Sequence, residues 1–460
     1  MDLEKRARRQ SLRVIISELI MVLSVIVMVT VLAFVVSGYW INSDFKVERQ
    51  GMLQIHSAPV GANVEVDGDS LWFQKTNTSK VLSSGEHNIV LTKDGYDSWS
   101  KTINIREGLL YKLDYPRLFL QDRKKEEVYD ASIVNFASFS PNRRLLMLAN
   151  NTTDWTLIDL DNDNPKSSTI DISKIFTSVS VADDTSLGLF TGEILSAEWD
   201  QSNEHILFKI KNDVGIEWVL LNVKNPTKSI NINREFAANF SEIKIFNNSA
   251  SILLAVRDNN LHKIDVDALQ ISSILFEDIA DYDFYDSEII YVSENKIYLD
   301  KLGEEPIIVQ EVSKDAKVLI GKFYDKKYIF IIDGNDISVY EKDNPSNKFE
   351  YYIDFVPEIA KVGYQGEFVF MSNGTNFATL DMELMAMKEW SVDSNHFGWI
   401  DNYMIYSIKD GELSVYDFDG LNRRTIISNA SDRLPASITS DKWLYYFSDG
   451  KLMREWLISQ

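Results

Sequence analysis

The side chains that most often carry chemistry are scattered along this chain and form no catalytic motif. The histidines stand at His56, His87, His205, His262 and His396, and no two have the spacing of a zinc-hydrolase helix. The chain has no cysteine, which excludes disulfides, thiolate nucleophiles and cysteine-ligated zinc. Neither a Gly-X-Ser-X-Gly elbow nor a phosphate-binding glycine loop occurs. The sequence therefore predicts no catalytic residues and no cofactor.

One acidic run, DLDNDNP, imitates the start of a calcium-binding loop. Its carboxylates begin at Asp159, but the glycine and the final glutamate of such a loop are replaced by Asn164 and Ile170. We interpret the run as an acidic turn after a strand. No metal site is predicted.

The charge distribution excludes nucleic acid as a partner. Residues 1–40 hold five basic and three acidic side chains, so the remaining residues carry 42 basic and 66 acidic ones, a net charge of −24. A domain with this charge repels phosphate backbones. The high charge also favours solubility, and it would suit a basic or cation-rich partner.

An uncharged apolar segment occupies residues 19–40. Its 22 residues would span ~33 Å as a helix, enough for a ~30 Å hydrocarbon core. Five basic residues in the preceding segment 1–18 predict a cytoplasmic N-terminus and extracytoplasmic C-terminal domains. A cleaved signal peptide is the alternative, but its apolar region would be shorter and would end in small residues. We therefore expect a single-pass anchor in the cell membrane.

The segment after the anchor has the pattern of a small β domain. Residues 51–113 alternate apolar and polar side chains, and Asp-Gly pairs at 67–68 and 94–95 mark turns. No helical period occurs in this stretch. We set the bounds of this predicted all-β domain at 50–115.

This stretch resembles the PEGA domain. The resemblance rests on Gly51, Leu53, Ile55, Ser57, Pro59, Gly61, Ala62, Val64, Val66, Asp67, Gly68, Gly85, His87, Gly95 and Tyr96. Two features differ from the family, because Val60 replaces the glutamate of the naming motif and QKTN stands where Gly-X-Thr-Pro usually follows the turn. The resemblance implies an all-β module for binding or spacing in surface and envelope-associated proteins, without catalytic residues.

The candidate residues of this domain have structural and contact roles. We assign structural roles to Pro59, Gly61, Ala62, Asp67, Gly68, Gly85, Gly95 and Tyr96, which turn the chain or fill the core. Trp72 and Phe73 lie in a turn-rich region and are candidate exposed aromatic contacts, for example for a glycan.

The region 116–460 repeats about every 40 residues. Eight strand-like copies, from WTLIDLD to LMREWLI, each follow a second apolar run such as LLMLAN or WLYYFS. About four short strands fit one repeat, which is typical of a β-propeller blade. We favour eight blades, with seven as the alternative count. The last copy lacks an outer strand, which the segment between Tyr115 and Tyr129 could supply, and an insertion is expected near 165–192.

One copy, FSPNRRLLMLANNTTDWTLIDLD at 139–161, is similar to repeats of the Tol-associated periplasmic propellers. This resemblance implies a fold and no function. The sequence as a whole predicts an all-β ectodomain on one transmembrane helix.

We expect a non-enzymatic binding or scaffold protein of the bacterial cell envelope. Its partners would be the membrane, through one helix, and a cell-wall or surface polymer or an envelope protein. Two alternatives stay open. The first is a glycan hydrolase that uses carboxylates in the propeller channel, and the second is a sensor or assembly factor acting through a membrane partner.

Overall fold

The computed structural model describes residues 18–33, 39–41, 47–160, 164–182, 188–301, 305–363, 366–392, 394 and 396–457. Strands dominate this described part, which confirms the all-β fold class. The chain separates into two compact units, Met1–Phe119 and Leu120–Gln460.

The first unit begins with helix α1, residues 18–33. Its twelve large apolar side chains, from Leu19 to Leu32, are each more than half exposed. No helix within the described residues combines the length and the apolar character needed to cross a membrane.

The predicted helix over 19–40 is wrong at its C-terminal end. Tyr39 and Trp40 lie in a strand that pairs antiparallel with residues 47–49. Aromatic residues suit extended backbone, and the partner strand supplies the hydrogen bonds that a helix would otherwise provide.

Two four-stranded sheets follow in the first unit. The strands are β1 (Tyr39–Ile41), β2 (Val47–Ile55), β3 (Asn63–Val66), β4 (Asp69–Lys75), β5 (Thr78–Ser83), β6 (Gly85–Thr92), β7 (Trp99–Ile105) and β8 (Leu110–Leu113). One sheet has the order β1-β2-β5 with β8 also paired to β2, and the other has the order β4-β3-β6-β7.

Alternation of side chains explains the core of these sheets. Leu53 and Ile55 on β2, and Ile89 and Leu91 on β6, are fully buried, while the residues between them point outward. At Gly51 a Cβ atom would lie 2.5 Å from Ile105 Cγ2, so only glycine lets β2 approach β7 this closely.

The second unit is built mainly from four-stranded antiparallel sheets. Its strands are β9 (Lys125–Asp130), β10 (Val134–Phe139), β11 (Leu145–Asn150), β12 (Asp154–Asp159), β13 (Lys166–Asp171), β14 (Val181–Ala182), β15 (Leu189–Phe190), β16 (Glu193–Trp199), β17 (His205–Lys211), β18 (Ile216–Asn222), β19 (Ile230–Asn231), β20 (Glu242–Ile245), β21 (Ile252–Arg257), β22 (Asn260–Asp265), β23 (Gln270–Ile271), β24 (Ile279–Tyr285), β25 (Glu288–Ser293), β26 (Lys296–Lys301) and β27 (Ile307–Glu311). They continue with β28 (Lys317–Phe323), β29 (Lys326–Asp333), β30 (Asp336–Glu341), β31 (Asn344–Tyr352), β32 (Ile359–Val362), β33 (Phe368–Ser372), β34 (Asn376–Asp381), β35 (Ala386–Ser391), β36 (His396–Trp399), β37 (Met404–Lys409), β38 (Glu412–Asp417), β39 (Arg424–Ile427), β40 (Ser437–Thr439), β41 (Trp443–Ser448) and β42 (Lys451–Trp456). A short helix α2 (Ile232–Phe236) and two 3₁₀ turns (Pro226–Lys228 and Phe246–Asn248) complete the elements.

The four-stranded sheets are the blades of a β-propeller. In the described residues there are eight, and we number them along the chain as blades 1 to 8: β10–β13, β16–β19, β20–β23, β24–β27, β28–β31, β32–β35, β36–β39, and β40–β42 with β9. The two apolar runs of each sequence copy form the second and third strands. First strands of neighbouring blades contact each other, as β24 does β28, so they line the centre of the ring.

Apolar side chains fill the spaces between successive blades. Buried clusters join blade 1 to 2, 2 to 3, 3 to 4, 4 to 5, 5 to 6, 6 to 7, and 8 back to 1. Blades 7 and 8 are joined by the Ile438 amide, which donates to the Ile400 carbonyl at 2.7 Å. The ring is therefore continuous.

The outer strand of blade 8 comes from the start of the unit, as the sequence predicted. β9 pairs antiparallel with β42. Across this junction the Arg454 guanidinium donates from Nε (3.0 Å) and Nη2 (2.7 Å) to Glu126 Oε2, and it lies 3.9 Å from the Trp443 ring. Arg123 donates to Glu455 Oε2 at 2.9 Å and to the Ile426 carbonyl of blade 7 at 2.6 Å.

The insertion after blade 1 begins later than the sequence predicted. Residues 166–171 form β13, the ordinary outer strand of blade 1, and the extra segment carries the small β14–β15 ladder.

The buried side chain of Glu217 on β18 fixes this insertion to blade 2. Its carboxylate accepts from the Thr177 amide and hydroxyl (2.7 and 3.1 Å). It also accepts from Ser180 Oγ, Asn212 Nδ2 and Asn231 Nδ2.

Arg454→Ala should weaken ring closure. Loss of two charged hydrogen bonds at a side chain that is 9 % exposed should lower the unfolding free energy by about 2 kcal/mol, measured by urea denaturation of the full chain in detergent. The Arg454 hydrogen bond also lowers the pKa of Glu126 below its ordinary value. The stabilisation from this pair is fully present above the ordinary pKa of a glutamate and is lost as the pH falls through the lowered pKa of Glu126. The difference in unfolding free energy between wild type and Arg454→Ala should therefore narrow in acid.

The matched control is Lys451→Ala, which breaks the other charged pair across the same junction. Lys451 and Glu127 are both about half exposed, so solvent screens their interaction. Lys451→Ala should therefore lower the unfolding free energy much less than Arg454→Ala does. Equal losses in the two variants would contradict the role given to Arg454.

Glu217→Ala should release the insertion and leave the ring folded. Removal of the shared acceptor leaves several buried donors without it, which should lower the free energy of opening this segment by on the order of 2–3 kcal/mol. Limited proteolysis should then cut faster between residues 177 and 191. Glu193→Ala, at an exposed position on β16, is the control and should leave the cleavage rate unchanged.

Candidate functional site

A cavity of about 1020 Å³ opens where the first strands of several blades end. It lies at the C-terminal ends of β16, β24, β28 and β32 and at the turns that follow them. We call it the channel-mouth cavity. Its lining residues are Pro141, Trp199, Gln201, Asn247, Phe284, Tyr285, Asp286, Ile320, Gly321, Lys322, Phe323, Tyr324, Lys361, Val362, Gly363, Gly366 and Glu367.

Close packing of blades 5 and 6 shapes one wall of the cavity. At Gly366 a Cβ atom would lie 1.9 Å from the Lys322 carbonyl oxygen, and the φ angle there is +75°. Glycine alone fits both conditions. The turn of blade 6 therefore lies against the end of β28.

Five aromatic side chains line the channel-mouth cavity. Trp199 is mostly buried, and its Nε1 donates to Ser138 Oγ at 3.0 Å. Tyr324 is 59 % exposed, and its hydroxyl donates to Glu383 Oε2 at 2.7 Å. The Phe323 and Tyr324 rings lie 4.3 Å apart, while Tyr285 and Phe284 come from β24. Aromatic rings with a few polar groups are typical of ligand sites.

Charged side chains project from the same inner strands. Asp281 and Asp283 stand on β24, and each accepts a backbone amide of β28, from Val318 (2.8 Å) and Ile320 (2.9 Å). Lys244 on β20 donates to the Tyr282 carbonyl at 2.6 Å. These bonds join blades 3, 4 and 5 at the centre of the ring.

The protein around the channel changes the protonation of these groups. Burial raises the pKa of Asp283 to about 6, against the opposing effect of the nearby Lys244 ammonium. Burial also raises the pKa of Asp281. For Lys244, burial acts to lower the pKa, but the carboxylates of Glu242, Asp283 and Asp281 outweigh it and raise the pKa.

Glu198 on β16 has a different environment. Its side chain is accessible to solvent, but desolvation by the surrounding protein raises its pKa against the attraction of the Lys244 and Lys361 ammonium groups. Among the described residues, no three histidine or carboxylate side chains are placed to hold a metal ion. The side chains that line the cavity offer hydrogen bonding, aromatic stacking and charge pairing to a ligand.

The predicted signature residues of the first unit lie at turns and in the core. Ser57 Oγ donates to the Pro59 carbonyl at 2.7 Å, and the Ala62 amide donates to Thr76 Oγ1 at 3.0 Å. Ala62 and Tyr96 are buried. The four glycines lie between or at the ends of strands: Gly61 before β3, Gly68 after it, Gly85 at the start of β6 and Gly95 after its end.

Asp67 closes the turn between β3 and β4. Its Oδ1 accepts the Asn88 amide at 2.8 Å, and its Oδ2 lies 2.6 Å from His87 Nδ1. The His87 hydrogen bond lowers the pKa of Asp67. Trp72 and Phe73 lie on β4, but their side chains are outside the described part of the chain.

Sequence reasoning missed the channel-mouth cavity. The one usable signal was the alternation in IADYDFY, which places Asp281 and Asp283 on one face of a strand beside an apolar run. The aromatic residues of the cavity come from separate repeats. Only closure of the ring brings them together.

Solved structures with a partly similar backbone trace have little sequence identity with this chain. PorZ, described as a bacterial surface component of the type-IX secretion system of Porphyromonas gingivalis, is 9 % identical with a TM-score of 0.41; the match covers 70 % of this chain and 42 % of PorZ. Hsv2 from Kluyveromyces lactis is 10 % identical with a TM-score of 0.39, over 64 % of this chain and 97 % of Hsv2. AztD from Citrobacter koseri is 11 % identical with a TM-score of 0.38, over 80 % and 95 %. The propeller fold rests on the strand pairing above, because similarities this low carry no conclusion.

Sequence comparison identifies one part of the chain. No curated protein matches the sequence. Residues 50–117 match the PEGA domain, and this range contains β3 to β8 and most of β2. The resemblance predicted for this stretch is therefore confirmed.

Proposed function

We propose that this chain is a membrane-anchored binding protein of the bacterial cell envelope. Helix α1 holds it in the cell membrane, and the PEGA domain and the propeller lie outside the cytoplasm. The propeller binds a surface polymer, specifically a glycan, in the channel-mouth cavity. The observation that carries the proposal is the group of five aromatic side chains around this cavity.

The composition of the cavity supports a glycan as the ligand. Sugar rings present apolar C–H faces and polar rims, which suit aromatic faces beside hydrogen-bonding side chains. Tyr324 offers an exposed ring oriented by Glu383, while Gln201, Asn247 and Asp286 add polar groups. The lining carries both lysine and carboxylate side chains, so the site is not restricted to ligands of one charge.

The exposed apolar surface of α1 supports the membrane anchor. A helix that is apolar on all sides and exposed along its length needs an apolar environment. The basic residues in segment 1–18 favour a cytoplasmic N-terminus.

A glycan hydrolase is the second candidate, favoured by the carboxyl groups of raised pKa in the channel. A general acid must hold its proton near neutral pH, and the raised pKa of Glu198 is in the direction that this role requires. Asp283 is less suited, because its carboxylate already accepts a backbone amide. Hydrolysis of a bound oligosaccharide would favour this candidate, and recovery of the oligosaccharide unchanged would favour binding alone.

Tyr324→Ala should weaken glycan binding. Loss of an exposed stacking ring should lower the affinity for soluble bacterial wall oligosaccharides roughly tenfold, measured by titration calorimetry of the full chain. Tyr352→Ala is the matched control, because Tyr352 is similarly exposed but lies outside the cavity and should leave binding unchanged. If the wild-type chain does not bind the oligosaccharides, or if both variants lose affinity equally, the cavity is not the binding site.

Deletion of residues 1–41 should release the chain from the membrane. We expect the full chain to stay in the membrane fraction after alkaline washing and to be cleaved by protease added outside intact spheroplasts. The truncated chain should be soluble. A full chain that is washed off, or that external protease cannot reach, would contradict the anchor or its orientation.

A further inference from the structure

Apolar side chains lie together on the outer face of the first sheet of the first unit. Met52 on β2 pairs in register with Val81 on β5 and with Leu110 on β8. The Met52, Val81 and Leu110 side chains are 43–49 % exposed. We call Met52, Val81 and Leu110 the apolar stripe.

The apolar stripe departs from the pattern of its own sheet. A sheet with one solvated face normally places polar side chains outward, and the inward neighbours Leu53 and Tyr111 are already buried. Two residues further along β2 and β8, the outer face carries Gln54 and Lys112. The core is thus complete without the stripe, whose exposed apolar area is confined to one end of the face.

The chain restricts how far the stripe can lie from α1. Five residues lie between the end of the helix at 33 and Tyr39, and the six residue steps from 33 to 39 span at most about 20 Å, so β1 starts within that distance of the helix. Tyr39 pairs with Arg49, and Met52 lies three residues beyond, or roughly 10 Å along the strand. If α1 crosses the bilayer, this end of the sheet stands close to the lipid surface.

The surroundings of the stripe suit a lipid headgroup region. Arg106 and Glu107 are exposed at the turn before β8, and Lys112 follows Leu110 on the same face. Long basic side chains can keep their charge among headgroups while apolar neighbours enter the interface. Three half-exposed side chains expose roughly 260 Å² at most, well below the ~800 Å² that each partner of a standard protein interface buries, which disfavours a second copy as the occupant.

We propose that the apolar stripe rests in the interfacial layer of the bilayer that holds α1, so that the PEGA domain is oriented by lipid contact as well as by its tether. This inference depends on the membrane anchoring proposed above. It concerns the first unit alone and is independent of the glycan.

The absence of native cysteine makes a direct test possible, because one introduced cysteine carries the only label. Four full-chain variants are labelled with a fluorophore: Val81→Cys and Leu110→Cys in the stripe, Glu86→Cys on the other sheet of the same domain, and Met28→Cys in α1. Each is reconstituted in vesicles of phosphatidylethanolamine and phosphatidylglycerol. Quenching is measured with lipids that carry a nitroxide near the headgroup and, separately, with aqueous iodide.

The lipid nitroxide should quench the labels at 81 and 110, and iodide should quench them several-fold less than the label at 86. The proposal is overturned if the stripe labels match the label at 86 while the label at 28 is shielded from iodide, in which case the anchor stands. Stripe labels shielded from both quenchers would overturn it in favour of a protein partner. A label at 28 that iodide reaches freely would refute the anchor, and the inference with it.

Discussion

The second unit depends on apolar contact between one blade and the next. The middle strands of each sheet are apolar on both faces, as in β25, where Ile289 and Ile290 point to opposite sides and both are fully buried. A single blade cannot bury both faces, so each requires two neighbours. The ring satisfies this for every blade only if its first and last strands meet. The pairing of β9 with β42 and the salt bridge between Arg454 and Glu126 are therefore conditions for the whole unit.

The same constraint produces the candidate site. The inner strands line the centre of the ring, and the charged side chains of Asp281, Asp283 and Lys244 lie on them. Burial by the surrounding protein raises the pKa of Asp283 and Glu198. Hydrogen bonds from backbone amides of β28 to the carboxylates of Asp281 and Asp283 link the inner edges of blades 4 and 5. The ring tolerates a polar, aromatic cavity at its centre because its stability comes from the apolar contacts between the middle strands of neighbouring blades.

The accuracy of the sequence predictions followed the strength of the local pattern. The second and third strands are buried on both sides, so runs such as LLMLAN and WTLIDLD were visible in every repeat. First and fourth strands are short or half-exposed, and β16 and β13 show weak periodicity. This is why the sequence predicted an insertion where the structure has the outer strand of blade 1. At Tyr39 and Trp40 the apolar run continued the helical pattern, and only pairing with residues 47–49 decided for β structure.

The sequence by itself determined the classes of structure: an apolar N-terminal segment, a PEGA-like β domain marked by its turns, and a repeat of about 40 residues whose last copy lacked a strand. These features are local, because they depend on side-chain alternation and on turn residues near one another in the chain. Tertiary structure alone decided that Trp199, Tyr285 and Tyr324 line one cavity and that Met52, Val81 and Leu110 lie side by side. Such neighbours come from strands far apart in sequence, and their proximity is set by strand register and ring closure, which no single segment encodes.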